Sequence, residues 1–201
     1  MLVTQNLQWL LLMGISFVVA VFLQTVRGYN AIETGVIFTA ATVGVLVSSL
    51  GAERFAKRRP QRTLIIVGFV VTLTGIGVLL ALVGASSRVV AFAPGLLLIG
   101  LGLGVMLTPS VNVVQSSFPE EQQGEISGLS RSVSNLGSSF GTAIAGTILV
   151  SDLASYVLAM VALGVLALIG LGAAFRLPRN QQSIGAPAAT PDTLEPAPEH
   201  G

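Results

Sequence analysis

Long apolar runs separated by short polar joints dominate the chain. Most of the runs reach the roughly 20 residues that an α-helix needs to cross a hydrocarbon layer about 30 Å thick. Because lipid offers no water to unpaired backbone groups, only helices or closed barrels span it, and a barrel strand needs only about ten residues. The pattern predicts an all-α, polytopic integral membrane protein with six transmembrane helices, over residues 7–26, 31–50, 63–85, 89–114, 126–150 and 154–175.

The basic residues give these predicted helices an orientation, because positively charged loops stay on the cytoplasmic side. The connection between the second and third helices holds Arg54, Lys57, Arg58, Arg59 and Arg62. Alternation then places both termini in the cytoplasm of a cell-membrane protein. Trp9, Tyr29 and Tyr156 fall near helix ends, where amphipathic rings favour the membrane interface.

Composition agrees with a membrane protein and excludes several kinds of chemistry. The chain is 52% apolar and 9% charged, whereas soluble domains carry roughly a quarter charged residues. The net charge of +1 gives no reason to expect a nucleic-acid partner. There is no cysteine, and the single histidine, His200, lies next to the C-terminus. We therefore expect no metal, no cofactor and no enzymatic activity, since an intramembrane enzyme needs a nucleophile with its base or a metal site.

A change of composition divides the chain into two parts. After Arg179 the sequence turns to proline, alanine, glutamine and acidic residues, which cannot build a packed core. This predicts a six-helix bundle over residues 1–180 and a disordered cytoplasmic tail over residues 181–201.

Polar residues inside the predicted helices are concentrated on the first, second, fourth and fifth of them. The spacing of Thr108, Asn112 and Gln115 puts them on one face of the fourth helix, and Arg131, Asn135 and Ser138 share a face of the fifth. Burying such groups in lipid costs free energy, so they favour a protein interior or a water-filled cavity. The predicted substrate path comprises Gln24, Thr108, Asn112, Gln115, Arg131, Asn135 and Ser138.

Each of these residues also has a structural explanation. Serine and threonine hydroxyls bond back to their own helix, and asparagine and glutamine side chains join helices together. Arg131 either places a charge in the transport path or in a gate, or it extends to the inner surface of the membrane. At that surface it could pair with Glu120, Glu121 or Glu125. Gly137 and Gly141 form a small-xxx-small face that predicts close packing of the fifth helix against another.

Three stretches together resemble a known family of transporters. They are FLQTVRGYNAIETG at residues 22–35, GLGLG at residues 100–104, and GEISGLSR at residues 124–131, which continues to Gly137 and Gly141. The chain resembles the major facilitator superfamily over residues 7–179. Within that superfamily it is similar to the C-terminal six-helix half of the fourteen-helix drug:proton antiporters.

The resemblance implies a transport mechanism. In this family two six-helix halves rock around a central site, and the first, second, fourth and fifth helices of each half line the cavity. We therefore expect an efflux-type secondary carrier of small organic compounds that works in a lipid bilayer by alternating access. The second half would be a separate subunit, a missing N-terminal part or another copy of the chain. The alternative is a nontransporting membrane scaffold or a truncated transporter remnant.

The basic second connection also resembles a degenerate copy of the family's cytoplasmic signature, in which an acid and basic residues latch neighbouring helices. In one register Glu53 and Arg54 are the acid and its neighbour, with Arg58 and Arg62 at later basic positions. A second register places Lys57 at the acidic position, and both depart from the family pattern. The predicted cytoplasmic gate is Glu53, Arg54, Arg58 and Arg62. The alternative is that these charges only set topology and attract anionic lipid.

Overall fold

Six long helices form the described part of the molecule. The computed structural model describes residues 2–56, 60–85, 89–116, 123–148 and 153–176, and of residues 52–56 and 108–116 it describes the helical backbone. The helices are α1 (Leu2–Val21), α2 (Ala31–Ala56), α3 (Gln61–Ala85), α4 (Ala93–Ser116), α5 (Gln123–Ile148) and α6 (Leu153–Phe175), with a π-helical turn at Phe22–Val26 and a 3-10 turn at Val89–Phe92. The predicted all-helical architecture is confirmed for these residues. The predicted tail over residues 181–201 lies outside them.

Five of these helices are long and apolar enough to cross a membrane. The candidate spans within the described ranges are Val3–Val26, Ala31–Gly51, Arg62–Gly84, Val90–Leu107 and Leu153–Phe175. The prediction of six spans differs from this result at α5, which is not among the candidates. The reason is its composition, since α5 carries serines, threonines, Asn135 and Arg131 along much of its length.

Helix α1 begins at Leu2, earlier than the predicted start at Leu7. The polar residues Thr4, Gln5 and Asn6 suggest a loop when only hydropathy is considered. In the fold, however, Thr4 and Gln5 are buried, and Asn6 is partly buried. Their helical conformation is therefore stabilised by contacts that a hydropathy pattern does not reveal.

The helices are arranged with an internal symmetry. Helix α5 packs along α1 and α2 packs along α4, while α1 also contacts α6, α4 also contacts α3, and α3 contacts α6. This set of contacts is unchanged when α1, α2 and α3 are exchanged with α4, α5 and α6. It is the arrangement expected of two inverted three-helix repeats.

The core lies where α1, α3, α4 and α6 meet. Ile15, Phe69, Leu103, Met106 and Met160 are all at most 2% exposed. Between helices in lipid the stabilisation comes from close van der Waals packing rather than from the release of water. Helices α2 and α5 flank this core from outside, which leaves each of them with a long exposed side.

Glycines allow α4 to approach two neighbours at once. A Cβ on Gly100 would overlap the backbone of Ala41 in α2, and a Cβ on Gly102 would overlap Thr72 and the backbone of Gly68 in α3. The sequence GLGLG thus serves helix packing on opposite sides of α4 and is not a phosphate-binding loop.

Arginines from neighbouring segments cap two helix C-termini. Arg27 donates a hydrogen bond to the Val83 carbonyl near the end of α3 at 2.6 Å, and its guanidinium lies 5.6 Å from the centre of the Phe22 ring. Arg62 donates to the carbonyl of Phe175, the last residue of α6, at 2.5 Å. A cation at a helix C-terminus is favourable because carbonyl groups there lack partners within the helix.

Aromatic packing stabilises the end of the bundle near Arg27. The ring centroids of Phe22 and Tyr156 are 4.0 Å apart, and those of Phe22 and Phe92 are 6.1 Å apart. Tyr156 is fully buried. Its ring is enclosed by protein and packs on Phe22, in the π-helical turn that follows α1.

A capping box begins α2. Gly28, at φ +71°, turns the chain, and the Asn30 side chain then accepts a hydrogen bond from the Glu33 N–H at 2.9 Å. The Glu33 carboxylate accepts one in return from the Asn30 N–H at 3.0 Å. Two backbone donors that lack helical partners are thereby satisfied.

The Asn30→Ala variant is expected to lower the free energy of unfolding by about 1 kcal/mol, the usual contribution of such a cap. Unfolding of the purified protein in detergent, followed by circular dichroism, measures the change. Thr39→Ala, an exposed substitution on the same helix, serves as the control and should change little. An equal loss in both variants would contradict a specific capping role for Asn30.

Candidate functional site

Helices α1 and α5 lie in backbone contact along one side of the bundle. A Cβ on Gly137 would overlap the carbonyl oxygen of Asn6, and a Cβ on Gly141 would overlap that of Leu10. Since Gly137 and Gly141 are four residues apart, they lie on one face of α5. The two helices run parallel and in register, so polar side chains beside the glycines are held opposite one another.

Hydrogen bonds join the two helices at their N-terminal ends. The side-chain amide of Gln5 donates to the hydroxyl oxygens of Ser130 at 2.7 Å and Ser134 at 3.2 Å. The Asn6 side chain donates to the carbonyl of Val133 at 2.9 Å. Interhelical hydrogen bonds of this kind hold membrane helices together and set their separation.

A cleft of about 500 Å³ opens between α1 and α5. This volume lies in the range of roughly 300–1,000 Å³ that is usual for small-molecule sites. Helix α1 supplies Gln5, Trp9 and Met13, and α5 supplies Ser127, Ser130, Arg131, Ser134, Asn135 and Ser138. Of the predicted path residues, the structure therefore brings together Arg131, Asn135 and Ser138.

Among the described residues that line this cleft, Arg131 is the charged one. It lies about 12 Å along α5 from the start of the helix, and its side chain is exposed. Neither Arg131 nor the exposed side chain of Asn135 makes a hydrogen bond or ion pair with another described residue. Both are therefore available to a molecule that enters the cleft.

Two serine hydroxyls of the cleft near Arg131 donate hydrogen bonds within α5. Ser134 donates to the Ser130 carbonyl at 2.9 Å, and Ser138 donates to the Ser134 carbonyl at 3.0 Å. This is the back-bonding expected of helical serines. Their oxygens remain acceptors, and Ser134 uses its own for Gln5.

On the cleft side of α1, two buried polar atoms have no hydrogen-bond partner among the described residues. They are Oε1 of Gln5 and the indole Nε1 of Trp9, and both residues line the cleft. A buried polar group without a partner costs about 1–3 kcal/mol. Such groups are commonly found where a water or a ligand completes the site.

Sequence reasoning missed the α1 side of the cleft. Gln5 precedes the predicted span, and Trp9 was assigned to the membrane interface. The signal that identifies them is their spacing, since Gln5, Trp9 and Met13 follow each other at intervals of four and share one helix face.

The other predicted site residues do not join the described cleft. Gln24 is exposed in the π-helical turn, about 28 Å further along the helix than Gln5. Thr108, Asn112 and Gln115 lie on the part of α4 whose side chains are outside the described residues. The same holds for Glu53 and Arg54 on α2, and Arg58 lies outside altogether. Arg62 is described, and it caps α6 as stated above.

The arrangement suits the binding of a small organic molecule. The cleft combines an aromatic ring, a thioether, a cation, an amide and hydroxyl oxygens. Within the described ranges no cluster of three or more His, Asp or Glu side chains is placed to hold a metal ion. The groups that line the cleft can bind and orient a ligand.

Comparison with known proteins identifies similar chains among drug-resistance transporters. The chain is 29% identical over 137 residues to the multidrug efflux pump LfrA of Mycolicibacterium smegmatis, covering 68% of this chain and 27% of the pump. It is 32% identical over 154 residues to the tetracenomycin C resistance and export protein of Streptomyces glaucescens, covering 71% and 27%. It is 28% identical over 162 residues to the quinolone resistance protein NorB of Staphylococcus aureus, covering 79% and 35%.

The chain thus spans between about a quarter and a third of the length of these curated relatives. The sequence pattern of the Major Facilitator Superfamily matches residues 1–199. That match covers nearly the whole chain, and the helical bundle with its polar cleft agrees with it. The chain belongs to the Major Facilitator Superfamily.

Proposed function

We propose that this chain forms one half of a secondary transporter that exports small organic compounds from the cell by alternating access. The single observation that carries the proposal is the cleft between α1 and α5, which places Arg131 and Asn135 within a bundle of apolar helices. Membrane helices keep such groups where they line a substrate or ion pathway. The relatives named for drug efflux and drug resistance support export as the direction.

The proposal assigns α5 as the sixth membrane span. Its composition is too polar for it to count among the five apolar candidate spans. Its exposed residues Arg131 and Asn135, however, suit a helix that faces a water-filled pathway. Beside the cleft α5 packs along α1, with Gly137 and Gly141 at the contact. A helix in this position crosses the membrane without meeting lipid on every side.

A second helical unit completes the pathway in this proposal. The exposed sides of α2 and α5 flank the core, and the chain resembles the C-terminal six-helix half of a fourteen-helix antiporter. The cleft would lie between this half and the other unit, which is part of the same polypeptide, a separate subunit or a second copy. Gln24, Thr108, Asn112 and Gln115 would extend the path on this half.

The proposed topology places both termini and the second connection in the cytoplasm of a cell-membrane protein. The contact of Arg62 with Phe175 supports a shared side for the start of α3 and the end of α6. The cytoplasmic gate proposed from Glu53, Arg54, Arg58 and Arg62 belongs to that same side. There Arg62 would stabilise the end of α6 while its neighbours contact the second unit.

Transport can be tested in everted membrane vesicles from cells that express the protein from its own gene. We expect accumulation of a fluorescent quinolone when the vesicle interior is made acidic, and loss of that accumulation on addition of a protonophore. Vesicles from cells without the gene are the control. If neither a quinolone nor tetracenomycin C accumulated under a gradient of either polarity, a nontransporting scaffold would replace this proposal.

A further inference from the structure

The described lining of the α1–α5 cleft carries a positive charge with no acid to balance it. Arg131 is exposed there and unpaired among the described residues, and the other lining residues in the described set are neutral. A guanidinium that no acid balances attracts an anion and repels a cation. The described lining therefore favours an anion over a cation.

We propose that the cleft binds organic anions, in which a carboxylate or sulfonate group is attached to a flat apolar body. The guanidinium of Arg131 would hold the anionic group, because its planar fork matches the geometry of carboxylate oxygens. The inference rests on the proposed transport function, and it names the class of substrate for that function.

The indole of Trp9 supplies a second donor for the same group. Its Nε1 is buried and has no hydrogen-bond partner among the described residues, although it belongs to a residue that lines the cleft. An N–H group in this state gains a partner when an acceptor reaches it. A carboxylate or sulfonate oxygen is a stronger acceptor for this N–H than a neutral carbonyl or ether oxygen, because the hydrogen bond is charge-assisted.

The apolar body of the ligand would lie against the Trp9 ring and the Met13 side chain. Trp9 and Met13 are one helical turn apart on the same face of α1. An aromatic face with a flexible thioether beside it accommodates flat rings of different outline. Trp9 alone would also attract a cation through its ring, but the charge of Arg131 opposes this.

Binding can be read directly, because Trp9 is the single tryptophan of the chain. Three nitroaromatic quenchers of tryptophan fluorescence differ in charge: 4-nitrobenzoate, nitrobenzene and 4-nitrobenzyl-trimethylammonium. With the purified wild-type protein in detergent, we expect saturable quenching by 4-nitrobenzoate at an affinity at least about tenfold above that of the cation. Equal or tighter binding of the cation would overturn the proposal, and this comparison needs no variant.

Variants of Arg131 then test whether this side chain causes the preference for anions. Arg131→Gln should weaken 4-nitrobenzoate binding about 10- to 100-fold, the effect of losing a charge-assisted hydrogen bond, while nitrobenzene quenching stays as in the wild type. Arg131→Lys should retain part of the anion affinity. Arg176→Gln, which removes an exposed arginine at the end of α6, is the matched control. Unchanged 4-nitrobenzoate binding in Arg131→Gln would refute the role of Arg131.

Binding and transport are measured separately, so the two proposals can fail independently. Saturable anion binding without transport in vesicles would overturn the proposed function and leave only the anion preference of the cleft. Transport without charge preference in the cleft would leave the function standing and overturn the inference.

Discussion

The Gly141→Leu variant is expected to yield little folded protein. A Cβ at residue 141 would overlap the carbonyl oxygen of Leu10 and lie within contact of Gly14, both part of the α1 backbone. A helix backbone cannot rotate away as a flexible side chain can, so the side chain would force α1 and α5 apart. Overpacking of a tight core costs typically 1–3 kcal/mol, and a backbone collision here should cost about 3 kcal/mol or more.

The separation of α1 and α5 would also break the hydrogen bonds from Gln5 and Asn6 to α5. The amount of monodisperse protein after size-exclusion chromatography measures the outcome. Gly128→Leu is the matched control on the same helix, because a Cβ at residue 128 meets nothing within 4 Å. If both variants gave equal yields, α5 would not depend on close contact with α1.

Much of the fold could be predicted from hydropathy, because lipid imposes the strongest of all constraints on backbone hydrogen bonds. Helix α3 is an example, since the predicted residues 63–85 lie within the observed Gln61–Ala85. The start of α1 could not be predicted in this way. Gln5 and Asn6 are polar. Only their partners on α5, more than a hundred residues away, explain why both are helical, why Gln5 is buried and why Asn6 is partly buried.

The candidate site, like the fold, could be predicted from the sequence only in part. The spacing of Arg131, Asn135 and Ser138 on one helix face was sufficient to place them together in the cleft. The place of Trp9 in the cleft was not predicted, because it follows from the packing of α1 on α5, which the preference of tryptophan for the interface does not reveal.

Replacing Arg131 by alanine is expected to abolish transport and leave the amount of folded protein unchanged. The side chain is exposed and makes no contact with described residues through a hydrogen bond or ion pair, so the fold does not depend on it. Alanine is also the better helix former. Transport depends on the charge because, in the proposed pathway, the guanidinium binds the substrate in the cleft.

Uptake into everted vesicles, normalised to folded protein, measures the effect of Arg131→Ala. Arg176→Ala is the control, since it removes an arginine that is exposed at the end of α6 and does not line the cleft. A transport rate equal to that of the wild type would refute the pathway role. Arg131 would then extend to the inner membrane surface, where its charge is solvated by water and lipid headgroups at little cost. If Arg131→Ala lost both transport and anion binding while the protein yield stayed unchanged, substrate recognition would lie between α1 and α5.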